Sequence, residues 1–472
     1  ESRPDWCLSR QRAWGLPIPA FFPPQGVEGE PLLTQASVMA VADQVRRHGS
    51  DYWFTAAPAE LLENYDPAND ADAPEWVASS LKPQASGLKK STDIFDVWFE
   101  SGSSWHAVLQ QRELGYPADL YLEGSDQHRG WFQLSLLPAL GVTGQSPFKN
   151  VLTHGFMVDK DGRKMSKSLG NTLEVEDLLK HYGADVCRWW VSSLNTDNDI
   201  KVDESFIRLA GEEYRKVRNT IRFLLSNLGD FDPERDRTEA DPASLDAWAL
   251  DQLGVLVNTV RNAYENFSFR LAHTKLFDFC NETMSAIYLA AVKDRLYCDK
   301  PDSPRRRRTQ TAMYGVADAL IRLLAPFMPH TADEAWHALR QDEDACVHLE
   351  LLPAERRTFQ ADPAWAPIIA ARDEIWMTRL EQKRQQDKID NPLDLGLKWN
   401  LPDDWKRVEL NDLADLCGIS RFIDESTGGE PQVVDLRSEP RCERSWKRDG
   451  TVKRRSNGGM LSDRDAEALG LE

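Results

Sequence analysis

The spacing of hydrophobic positions changes near residue 204. Upstream, short apolar runs alternate with Gly, Pro and polar turns, which predicts mixed α/β structure. Ala118-Asp119-Leu120-Tyr121-Leu122 predicts a strand, Gly124-Ser125-Asp126 a turn, and the apolar-rich stretch from Trp131 to Leu137 a helix. Residues 150–158 predict a second strand. It ends at Asp159-Lys160-Asp161-Gly162, turn chemistry in which glycine supplies a positive φ. Downstream the period is helical. Ala210, Tyr214, Val217, Ile221, Leu224 and Leu228 recur at alternating four- and three-residue steps, with Gly229 as a stop. A second stripe runs Ala249, Leu253, Leu256, Val260, Ala263. Further helices are expected over 269–297, 309–325 and 372–388. Thr331 and Glu334 form a capping-box pattern for a helix through Trp336.

These patterns divide the chain into an α/β region (1–203), an all-α helix bundle (204–350), a mixed junction (351–436) and a basic tail (437–472). A length of 472 residues suits two to four domains, at roughly 100–200 residues each. No apolar run reaches the roughly 18 residues of a spanning helix, so no membrane partner is expected. The chain opens Glu1-Ser2-Arg3, without an initiator Met or a signal-peptide pattern, and reads as a piece of a longer protein. Seven cysteines without repeating spacing point to a reducing, cytoplasmic setting. The net charge of −19 does not exclude nucleic acid, because phosphate binding needs only a local basic surface. Residues 437–456 hold eight Arg or Lys against three acids. The run Arg305 to Arg308 reads as a solvated helix start or loop.

Three strings carry chemistry. In Lys164-Met165-Ser166-Lys167-Ser168, two lysines three apart on a loop can reach neighbouring phosphate oxygens and neutralise charge building on a departing pyrophosphate. In Glu123-Gly124-Ser125-Asp126-Gln127-His128-Arg129-Gly130-Trp131, the turn falls at the carboxyl end of a strand, where open α/β sheets bind ligands. Gly124 admits close backbone approach, Asp126 can accept from ribose hydroxyls, and Glu123 can pair with an ammonium. In Phe95-Asp96-Val97-Trp98-Phe99-Glu100-Ser101-Gly102, taken alone, the aromatics read as core residues.

Together these strings resemble the isoleucyl branch of the class I aminoacyl-tRNA synthetases. The likeness is dense over 3–19 and 93–204. It continues through Ala325-Pro326-Phe327-Met328-Pro329-His330-Thr331-Ala332-Asp333-Glu334-Ala335-Trp336, which is similar to that family's anticodon-binding bundle. The resemblance implies a partial Rossmann-type catalytic domain followed by the helix bundle and a small mixed C-terminal region. It implies ATP-dependent attachment of isoleucine to tRNA(Ile) through an isoleucyl-adenylate, with ATP as its Mg2+ complex and a monomeric whole protein. Lys164 and Lys167 would be catalytic. Glu123, Gly124, Asp126, Gln127, Met165, Ser166 and Lys167 would bind ATP or adenylate, and Trp98 and Trp131 would flank the isoleucine side chain. A pocket of this kind rejects valine weakly, since one methylene is worth only about 1–3 kcal/mol, a general figure for which isoleucyl enzymes are themselves the usual illustration. A valyl-type sister enzyme and a tRNA-binding, non-catalytic paralogue are the alternatives.

Two departures shape the expectations. The family's His-x-Gly-His type motif and its editing domain are absent from the sequence, so the chain is expected to be inactive alone and to need an N-terminal half. Many relatives end in a zinc module of two C-x-x-C pairs. Here the first pair reads Cys442-Glu443-Arg444-Ser445 and no later cysteine exists. No metal ligands, and in particular no structural zinc, are expected.

Overall fold

The computed structural model describes residues 5–13, 15–80, 87–165, 171–355, 361–425 and 429–471. The chain separates into two compact units: Glu1–Phe156 with Thr196–Asn198, and Met157–Asn195 with Asp199–Glu472.

The first unit is organised by a strand–helix–strand crossover. Ala118–Gly124 and Phe148–His154 pair in parallel, with Leu120 opposite Asn150 and Glu123 opposite Thr153, and the helix Trp131–Thr143 connects them. Tyr121 is buried under that helix, with its ring stacked on Trp131 at 4.2 Å. A short helix, Val97–Gly102, crosses the connecting helix at Gly102. A Cβ there would lie 2.2 Å from the Leu134 carbonyl oxygen, so only glycine permits this approach. Asp96 starts the short helix by accepting the Trp98 N–H at 2.9 Å. Arg10 pairs with the same carboxylate at 2.6 Å, and Ser9–Arg10 runs antiparallel to Ile94–Phe95. A separate core of Phe21, Leu32, Trp53, Leu61 and Val77 lies beside the helix Gln35–His48.

The predicted strand over 150–158 proves to be two. Phe148–His154 ends where the Gly155 N–H donates to Thr196 O. Met157–Val158 then pairs in parallel with Ile200–Lys201 in the second unit.

The second unit is a helix bundle built on the expected stripes. In Glu204–Ser226 the positions Ala210, Val217, Ile221 and Leu224 are buried, and in Leu245–Glu265 so are Ala249, Leu253, Leu256, Val260 and Ala263. Each large apolar side chain so buried contributes about 1.5–3 kcal/mol. The helix expected over 269–297 runs as Phe269–Asp278, a π-helical stretch Phe279–Tyr288, and Leu289–Cys298. The same core continues through Trp365 and Trp376 to a three-stranded sheet. There Leu395–Trp399 lies between parallel Arg421–Asp424 and antiparallel Gln432–Asp435.

Two local expectations are corrected. The helix beginning at Pro329 is not started by a Thr331–Glu334 box. Thr331 already lies inside it, and its N–H and hydroxyl both donate to Asp185 at 2.6 Å. A carboxylate from the distant Ala184–Ser192 helix thus satisfies those first-turn donors. The helix expected from 309 begins at Pro304, capped by Ser303, so Arg305 to Arg308 form its first turn. They are not solvated. Arg305 pairs with Asp415, Arg306 with Asp230, Arg307 with Asp236 and Arg308 with Asp246. Four cations at a helix N-terminus oppose its dipole, and these acids offset that repulsion.

Two of these acids, Asp246 and Asp415, belong to a buried lock. Arg295 has no exposed side-chain surface. It donates to Asp412 at 2.6 Å and Asp415 at 2.9 Å and lies 3.7 Å from Asp246. Asp246 also accepts from Tyr288 and Thr309, and Asp415 from Lys447 of the tail at 2.6 Å. Burial opposes the charge on Arg295, but the three carboxylates outweigh it and hold its pKa well above the usual arginine range.

Candidate functional site

In the first unit the site residues expected from the sequence gather where the parallel pair ends. Gly124 closes the strand, Ser125–Arg129 forms one 3-10 turn, and Gly130 leads into the Trp131 helix. Glu123 and Asp126 are exposed. Glu123 Oε1 accepts the Gly124 N–H at 3.0 Å. A Cβ on Gly124 would lie 2.9 Å from Asp126 Oδ1, so a side chain here would press on the carboxylate beside it. Gln127 is buried, and its Oε1 accepts the Trp131 N–H at 3.0 Å, which starts the helix. Its carbonyl therefore holds the turn in shape.

The two tryptophans flank this helix start. The Trp98 ring lies 3.4 Å from where a Gly130 Cβ would stand, and the added atom would also meet Gln127 Oε1 at 2.9 Å. Trp131 is fixed by its Nε1, which donates to Ser101 O at 3.0 Å, and by the Tyr121 ring. The first unit thus brings together Trp98, Glu123, Gly124, Asp126, Gln127 and Trp131. Two indoles, two exposed carboxylates and a bare backbone edge suit a small zwitterion and a ribose hydroxyl pair.

In the second unit the lysine string leaves a tight turn. The Asp159 N–H donates to Arg163 O, Gly162 has φ +81°, and Val158 bridges Lys164. Asp159 organises this turn. It accepts the N–H groups of Asp161 and Arg163 and the Arg163 Nε. It also accepts Asn171 Nδ2 at 2.9 Å, from the far end of the loop. The Asn171 hydrogen bond first, then those from Arg163 and Asp161, outweigh burial and hold this carboxyl well below the usual range. Lys164 is exposed, and Met165 packs partly buried against the bundle core. Ser166 and Lys167 lie outside the described residues. Asp159 was missed as a functional position from sequence. Its only signal was the Asp-x-Asp-Gly turn pattern, which does not reveal a partner twelve residues on.

Three of the tail's cations pair with carboxylates. Lys447 donates to Asp415, Arg448 to Asp394, and Arg455 to Asp463. Trp446 is exposed in a left-handed conformation at φ +64°, with the Arg441 guanidinium 5.4 Å from its ring.

Residues 1–203 match the family model of tRNA synthetases class I (I, L, M and V), and residues 246–398 match that of the anticodon-binding domain of tRNA ligase. Among curated relatives, the isoleucine–tRNA ligase of Geobacter sulfurreducens is 38% identical over 99% of this chain and 51% of its own length. That of Petrotoga mobilis is 39% identical over 95% and 49%, and that of Desulfitobacterium hafniense 42% over 82% and 41%. The chain thus spans about half the length of the curated relatives it matches. The crystal structure of the ternary complex of Agrobacterium radiobacter K84 agnB2 LeuRS-tRNA-LeuAMS shares the fold, with TM-score 0.53 at 20% identity over 76% of this chain and 43% of that one. Matched over both its strand-bearing first part and its helical bundle, the chain belongs to the class I tRNA synthetases and carries a synthetase domain followed by an anticodon-binding domain.

Proposed function

We propose that this chain is the part of an isoleucine–tRNA ligase that holds the amino acid, the nucleoside and the signature lysines, and that it works with a further N-terminal half. The observation that carries this reading is the turn around Asp159, which leads into Lys164 and whose one carboxylate holds both Arg163 and Asn171, on either side of the Lys164–Ser168 string in the sequence. In the proposed reaction the isoleucine carboxylate attacks the α-phosphorus of ATP, supplied as its Mg2+ complex. The bond to pyrophosphate breaks and an adenylate forms. Lys164 and Lys167 neutralise charge as it builds on the leaving group. Glu123 pairs with the substrate ammonium, Asp126 accepts from the ribose, and Gly124 lets the nucleoside approach. Trp98 and Trp131 wall the branched side chain. A ribose hydroxyl of tRNA(Ile) then takes the acyl group and AMP leaves. The bundle and the exposed Trp446–Arg441 pair serve the RNA, since single-stranded loops are read by stacking and polar edges. The whole protein is expected to act as a cytoplasmic monomer.

ATP–pyrophosphate exchange driven by isoleucine tests the proposal. This chain alone is expected to give no useful exchange, and the whole protein that contains it robust exchange. Exchange driven equally well by valine assigns the valyl reading. Loss of exchange with tRNA binding retained assigns the non-catalytic one.

A further inference from the structure

The tail has its own small core of Cys442, Val452, Leu461 and Ala466, and Ser462 and Asp465 are buried as well. Cys442 and Ser445 stand three positions apart on a turn where the Trp446 N–H donates to Cys442 O. Ser462 and Asp465 stand three positions apart at the start of the helix Asp463–Ala468. Between the pairs run the antiparallel strands Lys453–Arg454 and Met460–Leu461. Two pairs at this spacing, separated by a hairpin, form the layout of a small four-ligand metal module. Here the four side chains meet on one carboxylate. Asp465 Oδ2 accepts from Cys442 Sγ at 3.0 Å, Ser445 Oγ at 2.6 Å and Ser462 Oγ at 2.8 Å. Arg464 reaches the same oxygen at 3.2 Å, and Arg444 reaches Oδ1 at 3.3 Å.

We infer that the Asp465 carboxylate stands where such a module holds its ion, and that hydrogen bonds to it, without a metal, hold the tail together. The donor set does not fit a structural zinc. Those sites use four Cys or His ligands, and this one offers a single thiol, two alcohols and one carboxylate. All three X–H groups already have an Asp465 oxygen as acceptor, so an ion would have to displace every one of them. Arg444 and Arg464 neutralise the carboxylate and would repel a divalent cation. Burial pushes the Asp465 carboxyl up, but the Cys442 and Ser445 hydrogen bonds and Arg464 more than offset it, and the group stays below the usual range. It is therefore an ionised acceptor at neutral pH. The cluster also docks the tail. Arg444 donates to the carbonyls of Cys298 and Tyr297, and Arg464 pairs with Asp294, all on or next to the Leu289–Cys298 helix.

The test uses this chain in three arms. Purified in zinc-containing medium, it is expected to hold far less than one zinc per molecule and to unfold at the same temperature with or without a strong chelator. One tightly held zinc, or a chelator-dependent fall in Tm, overturns the inference. Asp465→Ala is expected to speed amide exchange at Cys442, Glu443 and Arg455 by about tenfold or more, while the Leu253–Val260 amides of the bundle stay protected. Unchanged tail exchange overturns it. The triple variant Ser445→Cys, Ser462→Cys, Asp465→Cys is titrated with Co2+. A thiolate-to-cobalt absorption with tetrahedral d–d bands at one equivalent is expected, and a folded triple variant that binds no cobalt refutes the convergence of the four positions. If the variant folds only with metal, the convergence is equally supported.

Discussion

Asp246, Asp412 and Asp415 lie inside the helical unit with side chains no more than 1% exposed, whereas Glu123 and Asp126 stand in solvent at the end of a strand. The buried acids meet Arg295, Arg305, Arg308 and Lys447. At the strand end, the Glu123 carboxylate accepts a hydrogen bond from the neighbouring backbone. The same contrast separates the two basic runs. Arg305 to Arg308 fold down onto acids, while Lys164 projects from a turn whose own acid, Asp159, is already committed to holding the turn's shape. The arginine run joins elements of the fold through carboxylates from other elements, whereas the lysine string follows a turn that its own acid holds in shape.

The comparison breaks most visibly at Arg295. Arg295→Met leaves three buried carboxylates short of a cation and is expected to lower unfolding stability by about 3–5 kcal/mol, read from denaturant midpoints. A change under about 1 kcal/mol would place the lock among the weak surface pairs. A smaller effect is expected from pH. His273 is buried against the Trp189 ring at 4.0 Å, with Glu213 Oε2 3.7 Å away, and burial lowers its pKa to about 4. The unfolded chain takes up this proton near pH ~6.5 and the folded one only near 4. The associated stability is therefore complete above about 6.5 and lost as pH falls to about 4, by at most about 3 kcal/mol. His273→Phe should remove that component from a series of denaturant midpoints over the same window; an unaltered slope would show that His273 does not carry the titration. The smallest effect sharpens the open side of the contrast. Asp159→Asn should leave the global midpoint nearly unchanged yet raise tryptic cleavage at Arg163 and Lys164 by about tenfold. Asn171→Ala should do the same more weakly.

The sequence made the local parts legible. The Ala118–Leu122 strand, the helix from Trp131 and the Ala210 and Ala249 stripes each depend on neighbours a few residues away, and the structure forms them there. The strings around Glu123 and Lys164 pointed to the family. What stayed hidden depends on partners far along the chain. Asp185 takes the first-turn donors at Thr331 from 146 residues upstream, and Arg305 finds Asp415 110 residues on. Asn171 ties back to Asp159 across the signature loop. The second half of the tail's tetrad, Ser462 and Asp465, escaped notice because a search for cysteine pairs passes over a serine and an aspartate. Periodicity reports which face a residue occupies, and it carries no information about which distant charge will meet it.

The central claim is that the lysines of the 164–168 string act on ATP phosphates during isoleucine activation. Its most direct test is isoleucine-dependent ATP–pyrophosphate exchange by the whole protein carrying Lys164→Ala or Lys167→Ala. The account predicts that kcat falls by about 10²–10³-fold in each variant, as for removal of a donor aimed at developing charge, with the KM for isoleucine nearly unchanged. Exchange at the unsubstituted rate in both variants would contradict it.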